Sequence, residues 1–192
     1  MPIPSIEAIL SAAEVLFVRQ NYGNVSMRDI ARAADLTTGG LYHHFPSKEA
    51  LYLAMLQADW SVKRKAMLDA VPPQGSCREK LRYLTRVYLA MPPEHRSLLE
   101  LVRRDINVFK DPTRAAMIKA YQETVPAPIE AILQDGMATG EIRASVPRWL
   151  AWVYIALVET TLAPYAEATL GTLEQRLDIL LDQFFFGASS GA

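Results

Sequence analysis

The sequence predicts an all-α protein in two parts: a small N-terminal three-helix domain over residues 1–47 and a larger helical domain over residues 48–192. Three observations carry this. Apolar residues recur at three- and four-residue intervals in the long segments, the spacing of one helical face. No segment alternates apolar and polar residues in the manner of a half-buried strand. The breaks between segments carry Pro, Gly and capping residues.

Ser5 to Asn21 reads as the first helix, started by Pro4-Ser5 and stopped at Asn21–Gly23. Ile6, Ile9, Leu10, Ala13 and Phe17 mark its inner face. Ser26 can N-cap a short second helix, and Asp29, three residues on, completes a capping box. Ile30 and Ala31 turn inward. Asp35 sits at the next break, since Asp tolerates left-handed backbone better than most residues. Thr37 can cap a third helix whose inner face holds Leu41 and Phe45, with Leu36 just before it. Ser47 opens a long helix to about residue 70 through Leu51, Met55 and Leu56. The run VPPQGS over residues 71–76 breaks it. Cys77 to Met91 reads as a further helix, and Pro92-Pro93 starts another to about Asn107. Asp111-Pro112 opens one that Pro126 to Pro128 should kink or split before Gly136 to Gly140 closes it. Pro147 begins a strongly apolar helix to about Leu162, and Thr172 begins the last, to about Phe186, ahead of a fraying GASSGA tail.

The outer face of the third helix is unusual. Thr38 and Tyr42 are i,i+4 neighbours, as are Gly39 and His43, so the face is polar, aromatic and nearly free of bulk at one end. Two adjacent glycines cost roughly 1 kcal/mol each against Ala inside a helix. Either the backbone there approaches a large partner closely, or the helix start is crowded. Lys48 follows the cap Ser47, where a cation opposes the helix dipole by roughly a few tenths of a kcal/mol. It either reaches a phosphate or is a solvated surface lysine.

In fixed register, Tyr22-Gly23, Ser26, Ile30-Ala31, Leu36, Thr37, Gly39, Leu41-Tyr42, His44-Phe45 and Lys48-Glu49 resemble the helix-turn-helix of the TetR family of bacterial transcription regulators. The close match covers about the first quarter of the chain; the remainder is similar in length and helical pattern only. Asp35 departs from the family, which usually has Gly there.

The resemblance implies a homodimer that binds a palindromic operator in double-stranded DNA as a repressor. It pairs through its last two helices and is released when a small-molecule effector binds among the middle helices. The third helix would lie in the major groove with Thr37, Thr38 and Gly39 leading. Ser26, Tyr42 and Lys48 would bind phosphates. Arg28, Thr38 and His43 are candidates for base contacts, and His44 for a phosphate or packing contact.

Candidates near an effector are Tyr83, Tyr88, Met91, Phe109, Met117, Tyr121, Trp149 and Trp152, each of which reads as core before it reads as pocket. Glu159, a carboxylate within an apolar helix, would fix a polar or cationic effector, pair across a dimer or face water. Arg103, Arg104 and Asp105 would meet a charged effector. Leu173, Leu177, Leu180, Leu181 and Phe184 on the last helix, with Trp149, Trp152, Val153, Ala156 and Leu157 before it, offer more apolar surface than one subunit covers. A two-fold four-helix bundle would cover it.

Other classes find little support. Net charge is −1, and residues 22–48 carry three basic against two acidic side chains, so electrostatics alone does not indicate nucleic acid. Cys77 is the single cysteine, which excludes an internal disulfide and fits the cytoplasm. As a sensor thiol it would have only Arg78 and Lys80 beside it. MPIPSIEAIL is not a signal peptide, and the longest apolar run, Leu150 to Val158, is too short to span a bilayer, so no membrane partner is expected. His43 and His44 diverge on a helix, His95 has no clustered partner, and CxxC and HExxH are absent; no metal or cofactor is expected. Without GxSxG, GxGxxG or GxxxxGK[ST], an enzyme is not expected. The alternative is a helical small-molecule-binding or scaffold protein whose helix-turn-helix no longer binds DNA.

Overall fold

The computed structural model describes residues 5–91, 101 and 104–187. These form ten α-helices, and no strand occurs among the described residues. The chain divides into two compact units, one of Met1–Ser61 and Pro92–Ala120, the other of Val62–Met91 and Tyr121–Ala192. Contact therefore draws the start of the fourth helix, and a stretch far along the chain, to the N-terminal helices, whereas the expected division fell at residue 47.

In the first unit α1 (Ile6–Asn24) is capped by Ser5, whose hydroxyl accepts from Ala8 N–H at 3.2 Å. Its path breaks at Asn21, φ 64° and ψ 167°, the residue expected to stop it. The Asn21 side chain then accepts from Asn24 N–H at 3.2 Å and caps one extra turn, Tyr22 to Asn24. A capping box opens α2 (Met27–Ala33): Ser26 and Asp29 exchange side chain and backbone as the spacing predicts. Asp35 takes φ 56° itself, which is how the chain turns here without a glycine. Thr37 caps α3 (Thr38–His44), and Ser47 caps α4 (Lys48–Asp69) by accepting from Ala50 N–H. Ile9, Ala13, Phe17, Ile30, Leu41 and Leu51 are fully buried. A 3-10 turn, Ile106–Val108, precedes Phe109. That ring joins Phe17, Tyr22 and Tyr52 in a cluster with centroids 4.5–5.8 Å apart.

In the second unit α5 (Cys77–Ala90) packs on α7 (Pro126–Ala138) and on α10 (Leu173–Phe186), while α8 (Pro147–Thr160) packs on α7 and α10. Along the chain α6 (Thr113–Thr124) precedes α7, and a short α9 (Pro164–Thr169), not expected from the sequence, stands between α8 and α10. The split expected near Pro126 is present, with Pro126 in the first position of α7, where its missing N–H costs nothing. The helix closes within the expected Gly136–Gly140 stretch, at Ala138 with Thr139 as its cap and Gly140 at φ 77°, but Gly136 itself is not the stop. It lies inside α7, where an added Cβ would stand 2.8 Å from both Cβ and Sγ of Cys77, so its role is close helix packing. Leu177, Leu180 and Leu181, expected on a shared dimer face, are buried in the chain's own core. What α8 and α10 leave outside is Trp149 at 66% exposure, Ile179 at 45% and Phe186 at 69%. The expected helix from Pro92 to Asn107 lies largely outside the described residues, as does most of the C-terminal tail.

The pairing of α5 with α10 carries a ladder of charge. Arg78 meets Asp182 at 2.6 Å, Arg82 bridges Asp178 and Glu174, and Arg86 reaches Glu174 at 3.0 Å. Both series step by four residues, one turn of helix, and they run in opposite directions.

Candidate nucleic-acid interface

The third helix is short, so its geometry rests on its ends. Thr37 Oγ1 accepts from Gly40 N–H at 3.0 Å, and Phe45 N–H donates to Leu41 C=O at 2.9 Å. Leu41 and Phe45 anchor one side in the core. The opposite side is outward: Gly39 and His43 are exposed, Tyr42 is 49% exposed, and Thr38 and His44 are half-buried. Arg28, on the outside of α2, is exposed as well. The structure thus brings Arg28, Thr38, Gly39, Tyr42 and His43 to the surface of one helix pair, the candidate face.

The two glycines separate. A Cβ on Gly40 would stand 3.2 Å from Thr37 Oγ1 and 3.7 Å from Leu36 Cδ2, so the cap itself crowds that position. A Cβ on Gly39 would meet nothing within 4 Å. Among the described residues, nothing requires glycine at 39.

Two expected phosphate ligands are occupied. The Ser26 hydroxyl accepts from Asp29 N–H and donates to the Asp29 carboxylate, and Ser26 N–H donates to the same carboxylate at 3.1 Å. These bonds, led by that from the hydroxyl, hold the Asp29 carboxyl below its usual range, so an anion already sits at the start of α2. Lys48 Nζ donates to the carbonyls of Tyr22 at 2.9 Å and Val25 at 2.8 Å, and lies 4.1 Å from the centre of the Tyr22 ring. Burial pushes its pKa down. It is neither a free surface lysine nor an ammonium turned to solvent.

The effector candidates divide between the two units. Phe109 and Met117 are buried in the first unit, Phe109 within the aromatic cluster. Tyr83 and Trp149 are exposed. Tyr88, Met91 and Trp152 pack partly buried against the core of the second unit, and Tyr121 stacks on Trp152 at 6.0 Å. Glu159 is half-buried.

Arg104 and Asp105, expected to meet an effector, are engaged in the first unit; Arg103 and His95 lie outside the described residues. Asp105 is 3% exposed and accepts from Tyr22 N–H at 3.2 Å, Tyr52 O–H at 3.2 Å and Arg104 Nε at 3.0 Å. Burial and the adjoining Asp105 carboxylate raise the Tyr52 hydroxyl far above its ordinary range, keeping it a donor. Arg104 also donates to Phe17 C=O at 3.0 Å. The sequence offered no signal for this, since Tyr22 and Asp105 stand 83 residues apart.

Cys77 is buried, and burial first, Glu141 second, push its thiol up to about 11, the reverse of a reactive sensor. Among the described residues no group of three or more His, Cys, Asp or Glu side chains could hold a metal ion. No helix among them is long and apolar enough to cross a membrane.

Two capped helices joined through a left-handed residue, the second buried on one face and open on the other, define a helix-turn-helix protein of the DNA-binding class. Residues 9–55 match the family model for bacterial regulatory proteins of the tetR family. The transcriptional regulator UidR of Escherichia coli K12 is 27% identical over 146 residues, covering 74% of this chain and 71% of UidR. RutR of the same organism is 25% identical over 185 residues, covering 94% and 82%. The structure of AibR in complex with isovaleryl coenzyme A and operator DNA superposes with a TM-score of 0.75 at 24% identity, covering 94% of this chain and 97% of that one. Residues 9–55 thus carry the helix-turn-helix of the TetR family of transcriptional regulators.

Proposed function

We propose that the protein is a cytoplasmic homodimeric repressor, without catalytic activity of its own, that binds a palindromic operator and is released by a small effector. Residues 1–47 serve DNA, and residues 48–192 serve effector binding and dimerisation. The observation that carries the reading is the outer face of α3. It is capped, apolar underneath, open above, and has a glycine at 39 that no intramolecular contact explains. With α3 in the major groove, Thr38, His43 and Arg28 read base edges, while Tyr42, His44 and the leading Thr37–Gly39 backbone lie near the phosphates. Ser26 acts through its cap, by orienting α2.

Dimerisation through α8 and α10 is supported by Trp149, Ile179 and Phe186, which the chain leaves exposed. It would place two recognition helices about 34–36 Å apart for successive major grooves. An effector lowers affinity only by its preference for a dimer with another spacing. Tyr88, Met91, Tyr121, Trp152 and Glu159 are the effector contacts retained. The apolar and aromatic character of the first four, with isovaleryl coenzyme A in the AibR structure, makes acyl coenzyme A thioesters the first class to test.

Selection of duplexes from a random-sequence pool by the full-length protein tests the reading. A two-fold symmetric sequence, bound more weakly as salt rises, is the expected result. Recovery of no preferred sequence, alongside tight binding of an acyl coenzyme A, would favour a small-molecule-binding protein whose helix-turn-helix has lost its DNA.

A further inference from the structure

The path from α1 into α2 is a weak point by its backbone. Asn21 breaks the helix, so Tyr22 begins a new turn, and its N–H has no helical acceptor behind it. At the other end of that turn the carbonyls of Tyr22 and Val25 have no helix to continue into. α2 follows directly, and α3 packs on α2. Whatever holds Tyr22 to Val25 therefore sets where the recognition helix sits on α1.

Two side chains from elsewhere in the chain fill these orphaned groups. The buried Asp105 carboxylate takes the Tyr22 N–H. The Lys48 ammonium takes both carbonyls and covers the Tyr22 ring. Phe17, Tyr52 and Phe109 pack around that ring, and Arg104 neutralises Asp105 while donating to Phe17 C=O in the turn before the break. Asp105 is too deeply buried to touch any nucleic acid. Lys48 has two of its three N–H donors committed inside the protein.

We propose that Lys48 and Asp105 serve DNA binding as positioning residues: they clamp the Tyr22–Val25 turn from both sides, and Lys48 acts through that turn rather than as a phosphate ligand. The inference rests on the DNA-binding reading above. It also extends the DNA-binding apparatus to a residue 57 positions beyond Lys48, as the division of the chain by contact does.

The test uses the full-length protein with Lys48→Met, which keeps the apolar stem, and Asp105→Asn, which keeps the size. Binding is measured by fluorescence anisotropy to a duplex selected by the wild type and to a scrambled duplex, over ~50 to ~200 mM salt. Amide exchange of residues 22–26 is measured without DNA. For Lys48→Met the expected result is at least a roughly tenfold loss on the selected duplex, equivalent to ~1.4 kcal/mol. The scrambled duplex should be bound as before, the salt slope should be unchanged, and the turn should exchange faster. Asp105→Asn should do the same. A merely structural role would not lower selected-duplex binding while sparing the scrambled one. A slope shallower by ~0.9 for each lysine lost, with equal weakening on both duplexes and unaltered exchange, would make Lys48 a phosphate ligand and overturn the proposal. If Asp105→Asn does not fold, Lys48→Met and Tyr52→Phe, which removes one donor to Asp105, decide the matter. A wild type that retains no duplex overturns the DNA reading itself, and with it any service to DNA, while exchange still reports whether the clamp holds the turn.

Discussion

Gly39→Ala is the substitution that separates the helix from its partner. In an isolated helix, Ala is favoured over Gly by about 0.8–1.0 kcal/mol. The new Cβ at 39 meets no atom of the protein within 4 Å, so no packing loss offsets that gain. The full-length variant should therefore be more stable by about 1 kcal/mol, raising the melting temperature of the unit by roughly 2–8 °C according to the size of the cooperative unit. Gly40→Ala is the internal control. Its Cβ would press on Thr37 Oγ1 at 3.2 Å, the atom that caps the helix, and loss of that cap costs about 1 kcal/mol. Gain and loss cancel, and Gly40→Ala should melt at or below the wild-type temperature.

DNA binding should move the other way for Gly39→Ala. If backbone at 39 lies against the duplex, a methyl group there overpacks the interface at about 1 kcal/mol or more per recognition helix. Two helices per dimer then give about 2 kcal/mol, close to a thirtyfold weaker complex. Thermal melts and anisotropy titrations on the same preparations check both halves. A variant that is more stable and binds the selected duplex as tightly as the wild type would refute close approach at Gly39. A variant that is less stable would refute the account of the helix itself.

Two further outcomes follow from the second unit. Arg82→Ala removes the bridge to Glu174 and Asp178 between α5 and α10. With the charges partly exposed, each pair contributes at most about 1 kcal/mol, so urea denaturation should show a loss of about 1–2 kcal/mol that shrinks in ~1 M NaCl; a loss indifferent to salt would assign the effect to packing of the arginine stem instead. The Cys77 thiol ionises near 9.0 in an ordinary setting and near 11 in the fold. The unfolded chain gives up this proton first, so the contribution of Cys77 is complete below pH 9 and is lost as pH rises through 11. Tyr22, Tyr52 and Tyr154 shift in the same direction, so the comparison is with Cys77→Ala, whose stability should decline less steeply over that interval. Native Cys77 should also resist alkylation at pH 8, and rapid modification of the folded protein would contradict its burial.

Why some of this was legible and some not comes down to how far apart the deciding atoms lie in the chain. A cap is settled within four residues, so Ser26 with Asp29 and Thr37 with Gly40 could be read directly, as could the left-handed Asp35. The candidate DNA face was legible for a related reason. On a helix with Leu41 inward, the residues left over are the surface, and Gly39, Tyr42 and His43 are what is left over. The Gly136–Gly140 stop was legible, whereas the packing role of Gly136 within it is decided only by Cys77, on another helix. The arginine ladder had a readable signature, steps of four in both strings of charge, but the register between them belongs to the packing of α5 on α10. Lys48 is the residue whose partners were least legible. A lysine after a cap says that an oxygen is wanted, and phosphate, carboxylate and carbonyl oxygens all satisfy an ammonium. The break at Asn21 is what supplies the carbonyls, and a helix break 27 residues earlier carries no mark that it will be repaired by Lys48. Charge in a sequence thus specifies a need, whereas the unfilled backbone groups of the fold determine which partner meets it first.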